Sequence, residues 1–147
     1  MVDEALAVYW DASAVLSVLF KDSHSDAALE WARKECAHFI STLAYAEVCA
    51  VIGRMKREKI LSDPLVKVSF DSLDQGPWRR LSIQPDWEIT KELSDHWKLR
   101  GADLWHLAAA KTLQADLPEL VMVTFDVRLF EASEGEGLVA SDFGVSG

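Results

Sequence analysis

The chain of 147 residues has no apolar run long enough to cross a bilayer, which takes about 20 consecutive apolar residues, so a helical membrane protein is excluded as a reading. It has two cysteines, Cys36 and Cys49, both within apolar helical patterns and without CxxC or Cys/His spacing. That pattern argues against a disulfide framework or a thiolate zinc site, and reads as buried free thiols in a reducing compartment. Met1-Val2-Asp3-Glu4 is acidic where a secretory leader is basic, and the expected location is cytoplasmic. Four prolines and seven glycines nowhere gather into a linker, and no repeat or low-complexity tract interrupts the chain, so one domain over residues 1–147 is expected. Positive charge is also scarce: 15 Lys and Arg against 24 Asp and Glu give a formal net charge of −9. A polyanion ligand would need local help, because such binding ordinarily draws on Lys and Arg to displace counterions. A divalent cation held by carboxylates reverses the local sign. The basic residues are grouped as Arg54, Lys56, Arg57 and Lys59, then Arg79 with Arg80, then Lys98 with Arg100. Groups of this kind are ordinarily solvated helix faces.

What the sequence does contain is an alternation of short apolar runs and helical patterns. Ala7 to Trp10 suits a strand buried on both faces, ending at Asp11, and His38 to Ile40 suits a second. Helices are expected over Val15–Phe20, Ala27–Cys36 and Leu43–Met55, the last with Ser41 or Thr42 as N-cap. A further helix is expected from Pro64 to Leu73, since Pro is accepted in a first turn. Leu81–Ile83 reads as a third strand, and Trp87–Leu99 as a helix broken at Gly101. Ala102–Ala115 is apolar on nearly every side and is expected deep in the molecule. Leu120–Thr124 reads as the fourth strand, Arg128–Ser133 as a short helix and Gly137–Val139 as an edge strand. Strands separated by helices imply an α/β fold with a mainly parallel sheet and helices on both faces, in which ligands bind beyond the carboxyl ends of the strands.

Four acids are candidates for chemistry at that end. Asp11 and Asp126 each follow a strand, and each is equally suited to capping the next helix. Glu47 has Leu43, Ala44, Ala50 and Val51 at three and four residues on either side, so it projects from an apolar stripe and needs a cation or a proton from elsewhere, unless the stripe is wet there. Asp103 opens the buried helix, where it can point into the site, cap the helix or pair with Arg100. His106 lies on the same face and reads as a hydrogen-bonded core histidine. Four carboxylates at one end of a sheet repel unless a hard divalent cation sits among them; Mg²⁺ and Mn²⁺ prefer oxygen ligands and serve phosphodiester hydrolysis.

Four segments carry a family resemblance: Tyr9 to Ala14 (YWDASA), Ser41 to Val48 (STLAYAEV), Leu99 to Ala108 (LRGADLWHLA) and Val123 to Leu129 (VTFDVRL). In their order and spacing the chain resembles the PIN-domain nucleases, and within them the VapC-like toxins of type II toxin–antitoxin systems. The resemblance implies a three-layer α/β/α sandwich, an endoribonuclease requiring Mg²⁺ or Mn²⁺, an RNA substrate, a VapB-like antitoxin partner and a homodimer. It implies that Asp11 and Asp103 bind metal most directly, that Glu47 and Asp126 complete the pocket or hold the attacking water, and that Ser13 and Thr124 steady the carboxylates. Arg100 is a weaker candidate for contact with substrate. Two other readings remain at this point: an RNA- or DNA-processing nuclease with the same chemistry, and a receiver-like or protein-binding module. The second lacks support, since Leu81-Ser82-Ile83 ends in Gln84-Pro85 without an acceptor Asp and no Lys follows Lys111.

Overall fold

The computed structural model describes residues 6–139. Four strands, β1 (Ala7–Trp10), β2 (Ala37–Ser41), β3 (Trp78–Leu81) and β4 (Leu120–Val123), form one sheet in the order β3-β2-β1-β4, with every pairing parallel. Seven helices connect and flank them: α1 (Ala12–Leu19), α2 (Ser25–Ala32), α3 (Thr42–Arg57), α4 (Asp63–Gln75), α5 (Trp87–His96), α6 (Gly101–Gln114) and α7 (Val127–Gly135).

The alternation of side chains along β1 divides the core in two. Val8 and Trp10 face a cluster that includes Val15, Trp31, Val48, Ile52, Val66 and Leu73, from α1 to α4. Ala7 and Tyr9 face the other, built from Leu93, the run Leu107–Ala110, Leu129 and Ala132, from α5 to α7. The result is the three-layer α/β/α sandwich with a parallel centre. It also explains why β1 carries no charged residue, because a central parallel strand is covered on both faces. Parallel pairing puts the ends of β1, β2 and β4 side by side, so Asp11, Ser41 and Thr124 leave the sheet at the same edge.

Several boundaries differ from expectation. The third strand lies at Trp78–Leu81 rather than Leu81–Ile83. It is an edge strand whose Arg79 and Arg80 are exposed, a usual protection of an edge that hides the apolar pattern. Only Trp78 is buried, its ring edge-on to Trp10 at 5.5 Å between centroids. Helix α5 stops at His96 rather than Leu99, with Trp97 already extended (φ −125°, ψ 136°). Trp97 leaves the helix to pack on Gly135, where any Cβ would lie 2.4 Å from its ring, and its Nε1 donates to Glu136 Oε2 at 2.9 Å. Gly101 does not break a helix but opens α6. Residues 137–139 form no strand: Gly137 takes a positive φ of 77°, and Leu138 returns only its carbonyl to Met122 N. The thiols of Cys36 and Cys49 are half-buried rather than fully buried.

Candidate active site

Asp11 sits where β1 turns into α1 and is 5% exposed. Its Oδ1 accepts from Ala14 N at 2.9 Å and from Ser13 Oγ at 2.7 Å, and its Oδ2 accepts from Thr124 Oγ1 at 2.6 Å. The same hydroxyls fasten the next turn of chain, since Phe125 N donates to Ser13 Oγ and Asp126 N donates to Thr124 Oγ1, both at 3.1 Å. The ends of β1 and β4 are thereby sewn together around one carboxylate. Burial nevertheless pushes the Asp11 carboxyl above the ordinary range, against these donors and a smaller opposing influence of His106.

Asp126 is exposed and caps α7, its Oδ1 accepting from Leu129 N at 2.9 Å. Asp11 and Asp126 are thus helix caps in fact, as either reading of them allowed. Asp103 is not a cap; the N-cap of α6 is Arg100, and Asp103 is its third residue. It is half-buried and lines a cavity of about 430 Å³ with Arg100, Phe125, Asp126 and Arg128. Desolvation raises its pKa, and the charges of Asp126 and Glu47 add to the rise, while His106 and Arg100 oppose it. Glu47 of α3 meets His106 of α6 across the ends of the strands, Oε1 to Nε2 at 2.6 Å. The partner that the apolar stripe around Glu47 demanded is therefore a histidine from the opposite layer.

All four acids come to one end of the sheet, and Asp103 feels two of the others as repulsion. The basic groups divide. Arg54, Lys56 and Arg57 close the last turn of α3, roughly 10–15 Å along the axis from Glu47 and toward the opposite end of the sheet. Arg80, near the end of β3, is tied to Asp74 at 2.9 Å and lies over the Tyr45 ring. Arg100 and Arg128 are at the cavity itself. Arg128 is not among the candidates of the sequence reading; its place two residues after the Asp126 that caps α7 is the available signal.

The donor set suits a hard dication in its chemistry: carboxylate oxygens converge, with burial raising the Asp11 carboxyl, and burial together with the charges of Asp126 and Glu47 raising that of Asp103. Among the described residues no three Asp, Glu, His or Cys side chains stand in chelating geometry. Oδ1 of Asp11 takes two donors and Oδ2 only one, which leaves acceptor capacity on Oδ2, while Asp126 is turned to its helix through Oδ1 and Glu47 to His106 through Oε1.

A buried strand-end aspartate is sewn to the neighbouring strand, and further acids converge on it from two helices of opposite layers, at the end of a parallel α/β sheet where such folds bind ligands. The family model of the PIN domain matches residues 8–135, and the chain belongs to that family. Among known proteins it is similar to Ribonuclease VapC35 of Mycobacterium tuberculosis, 29% identical over 133 residues that make up 89% of this chain and 93% of the relative. Among solved structures it resembles Mycobacterium tuberculosis VapC20, a toxin that cleaves the sarcin–ricin loop (TM-score 0.59, 13% identity, 90% of this chain and 97% of that one). It also resembles PAE2754 from Pyrobaculum aerophilum (TM-score 0.54, 20% identity, 89% and 82%). These two likenesses concern the fold. PIN nucleases generally use divalent metal ions.

Proposed function

We propose that this chain is a VapC-type endoribonuclease, the toxin of a toxin–antitoxin pair, hydrolysing RNA phosphodiester bonds with Mg²⁺ or Mn²⁺. The observation that carries this reading is the convergence of Asp11, Glu47, Asp103 and Asp126 at the carboxyl ends of the strands, beside a cavity with Arg100 and Arg128 on its wall. Asp11 and Asp103 are the residues that would hold the cation, with Asp126 and Glu47 completing the pocket and orienting the attacking water. A bound dication supplies an activated water and neutralises the charge that builds on the phosphate oxygens. Ser13 and Thr124 fix the Asp11 carboxylate in one orientation, so that it is presented ready-made. Arg100 and Arg128 offer the positive charge that the chain as a whole lacks, and place a phosphate over Asp103. A VapB-like antitoxin as inhibitor, a homodimer and a cytoplasmic setting belong to the same proposal; no helix among the described residues is long and apolar enough to cross a membrane.

The test is cleavage of RNA by the purified chain in Mg²⁺, in Mn²⁺ and in EDTA. Cleavage with either cation and none in EDTA is expected; undiminished cleavage in EDTA overturns the reading. Growth arrest on expression, relieved by a co-expressed antitoxin, separates a toxin from a processing nuclease. Ser13→Ala removes one of three donors to Asp11, and its expected effect is the milder one. Activity should fall by no more than about tenfold, the low end for residues that support a metal ligand, and stability by about 1 kcal/mol, read by steady-state cleavage and urea unfolding.

A further inference from the structure

We infer that His106 is a positioning residue that clamps the Glu47 carboxylate, and that Tyr9 completes the clamp by fixing the orientation of the imidazole. This rests on the nuclease reading above. His106 is 1% exposed, and both of its ring nitrogens are engaged: Nε2 with Glu47 Oε1 at 2.6 Å and Nδ1 with the Tyr9 hydroxyl at 2.7 Å.

The protons along this line follow from the partners. A carboxylate can only accept, so Nε2 carries hydrogen and donates to Glu47. In the neutral imidazole Nδ1 is then an acceptor and takes the Tyr9 proton. Tyr9 is fully buried in β1, the strand between the two helical layers. The line therefore runs from the central strand through the imidazole of α6 to the carboxylate on α3, and joins the two layers. Each donor has one acceptor, and no ring flip preserves the set.

Something must restrain Glu47, because its side chain is 35% exposed and α3 offers it no Lys or Arg within a helical turn on either side. A free glutamate there would sample several rotamers, and a site that needs its second oxygen in one place would lose that order. With Oε1 held by His106, Oε2 is the oxygen left for the pocket. An imidazole that donates one N–H to a carboxylate while a second partner fixes its tautomer is a recurrent supporting device of metal sites, although here it would act on a ligand candidate rather than serve as one.

The experiment measures Mn²⁺ binding to the RNA-free protein by calorimetry and kcat for RNA cleavage, for His106→Leu, His106→Gln, Tyr9→Phe and Glu47→Gln and for the His106→Leu/Glu47→Gln double variant. His106→Leu is expected to weaken Mn²⁺ binding and lower kcat by roughly 10–100-fold, the range for supporting residues. Gln keeps an N–H for Glu47 and should restore most of the loss. Tyr9→Phe removes one hydroxyl without touching Glu47, and should cost about tenfold or less. In the Glu47→Gln background the loss of His106 should add little, since the two act as one unit. If His106→Leu only lowers the melting temperature, or its effect persists undiminished in the Glu47→Gln background, the clamp is refuted. Should His106→Leu fail to fold, unchanged Mn²⁺ binding and kcat in both Tyr9→Phe and His106→Gln refute it equally. A wild type that binds Mn²⁺ but leaves RNA intact defeats the nuclease reading instead, with the binding comparison still deciding on the clamp.

Discussion

Replacing Asp11 by Asn is expected to lower RNA cleavage at least about 100-fold, since even residues that merely support a metal ligand cost roughly 10–100-fold, while the metal-free protein becomes no less stable than the parent. The two halves of this result come from one geometry. Asn keeps the shape, and its amide oxygen still accepts from Ala14 N and Ser13 Oγ. Its amide nitrogen faces Thr124 Oγ1, which must turn from donor to acceptor and send its own proton toward Ser13 Oγ, 3.5 Å away. A hydroxyl oxygen has a second lone pair for this, beside the one that receives Asp126 N. What disappears is a charge in a buried place. Burial holds the Asp11 carboxyl above its ordinary range, so at neutral pH its ionisation opposes folding, and the neutral amide removes that cost. The stability is read by urea unfolding in EDTA and the activity by cleavage in Mg²⁺. Cleavage within tenfold of the parent would remove Asp11 from the centre of the site.

Asp103→Asn is expected to match it in activity and to differ in its pH signature. The Asp103 carboxyl is raised first by desolvation and then by Asp126 and Glu47. A carboxyl whose folded pKa lies above its unfolded value favours the folded state when protonated. That contribution is complete below the unfolded pKa of about 4 and is lost as pH rises through the folded pKa. The variant should therefore be more stable than the parent at pH 7, with the gap closing as pH falls to about 4. Comparing the pair at each pH cancels carboxylates of the opposite kind, such as Asp22 and Asp74, whose pKa values are lowered by their hydrogen-bond donors. Because Asp103 is half-exposed, solvent screens part of the effect, and the amplitude should be small beside the loss of cleavage. Adding Mg²⁺ should stabilise the parent more than the variant, since the cation then relieves a repulsion that the variant no longer has. A gap that widens on acidification contradicts the assigned environment of Asp103.

The elements that could be read from the chain were those whose local chemistry matched their surroundings. Ala7–Trp10 and Leu120–Val123 are apolar at every position and form the two strands that meet at the acids. Ser41 before Thr42–Arg57 was legible as a cap because a hydroxyl three residues ahead of Ala44 N satisfies a free donor wherever the helix packs. The third strand was misplaced because an edge strand keeps one side in water, and Arg79 and Arg80 carry no apolar signal. The end of α5 was misplaced because Trp97 is apolar whether it continues a helix or leaves one, and Gly135, 38 residues later, supplies the flat surface that draws it out.

For the site, residue type and order along the chain already named Asp11, Glu47, Asp103 and Asp126, and the local pattern showed that Glu47 lacked a partner within its own helix. Those are short-range facts, decided by periods of two and of about four residues. Which group answers Glu47, which acids repel one another and which arginines stand at the cavity depend on parallel pairing that sets β1 between β2 and β4, and on two helices from opposite layers meeting above those ends. Residues 59 apart in the chain meet at 2.6 Å there, and an interaction across that distance is fixed by packing rather than by any neighbour in sequence.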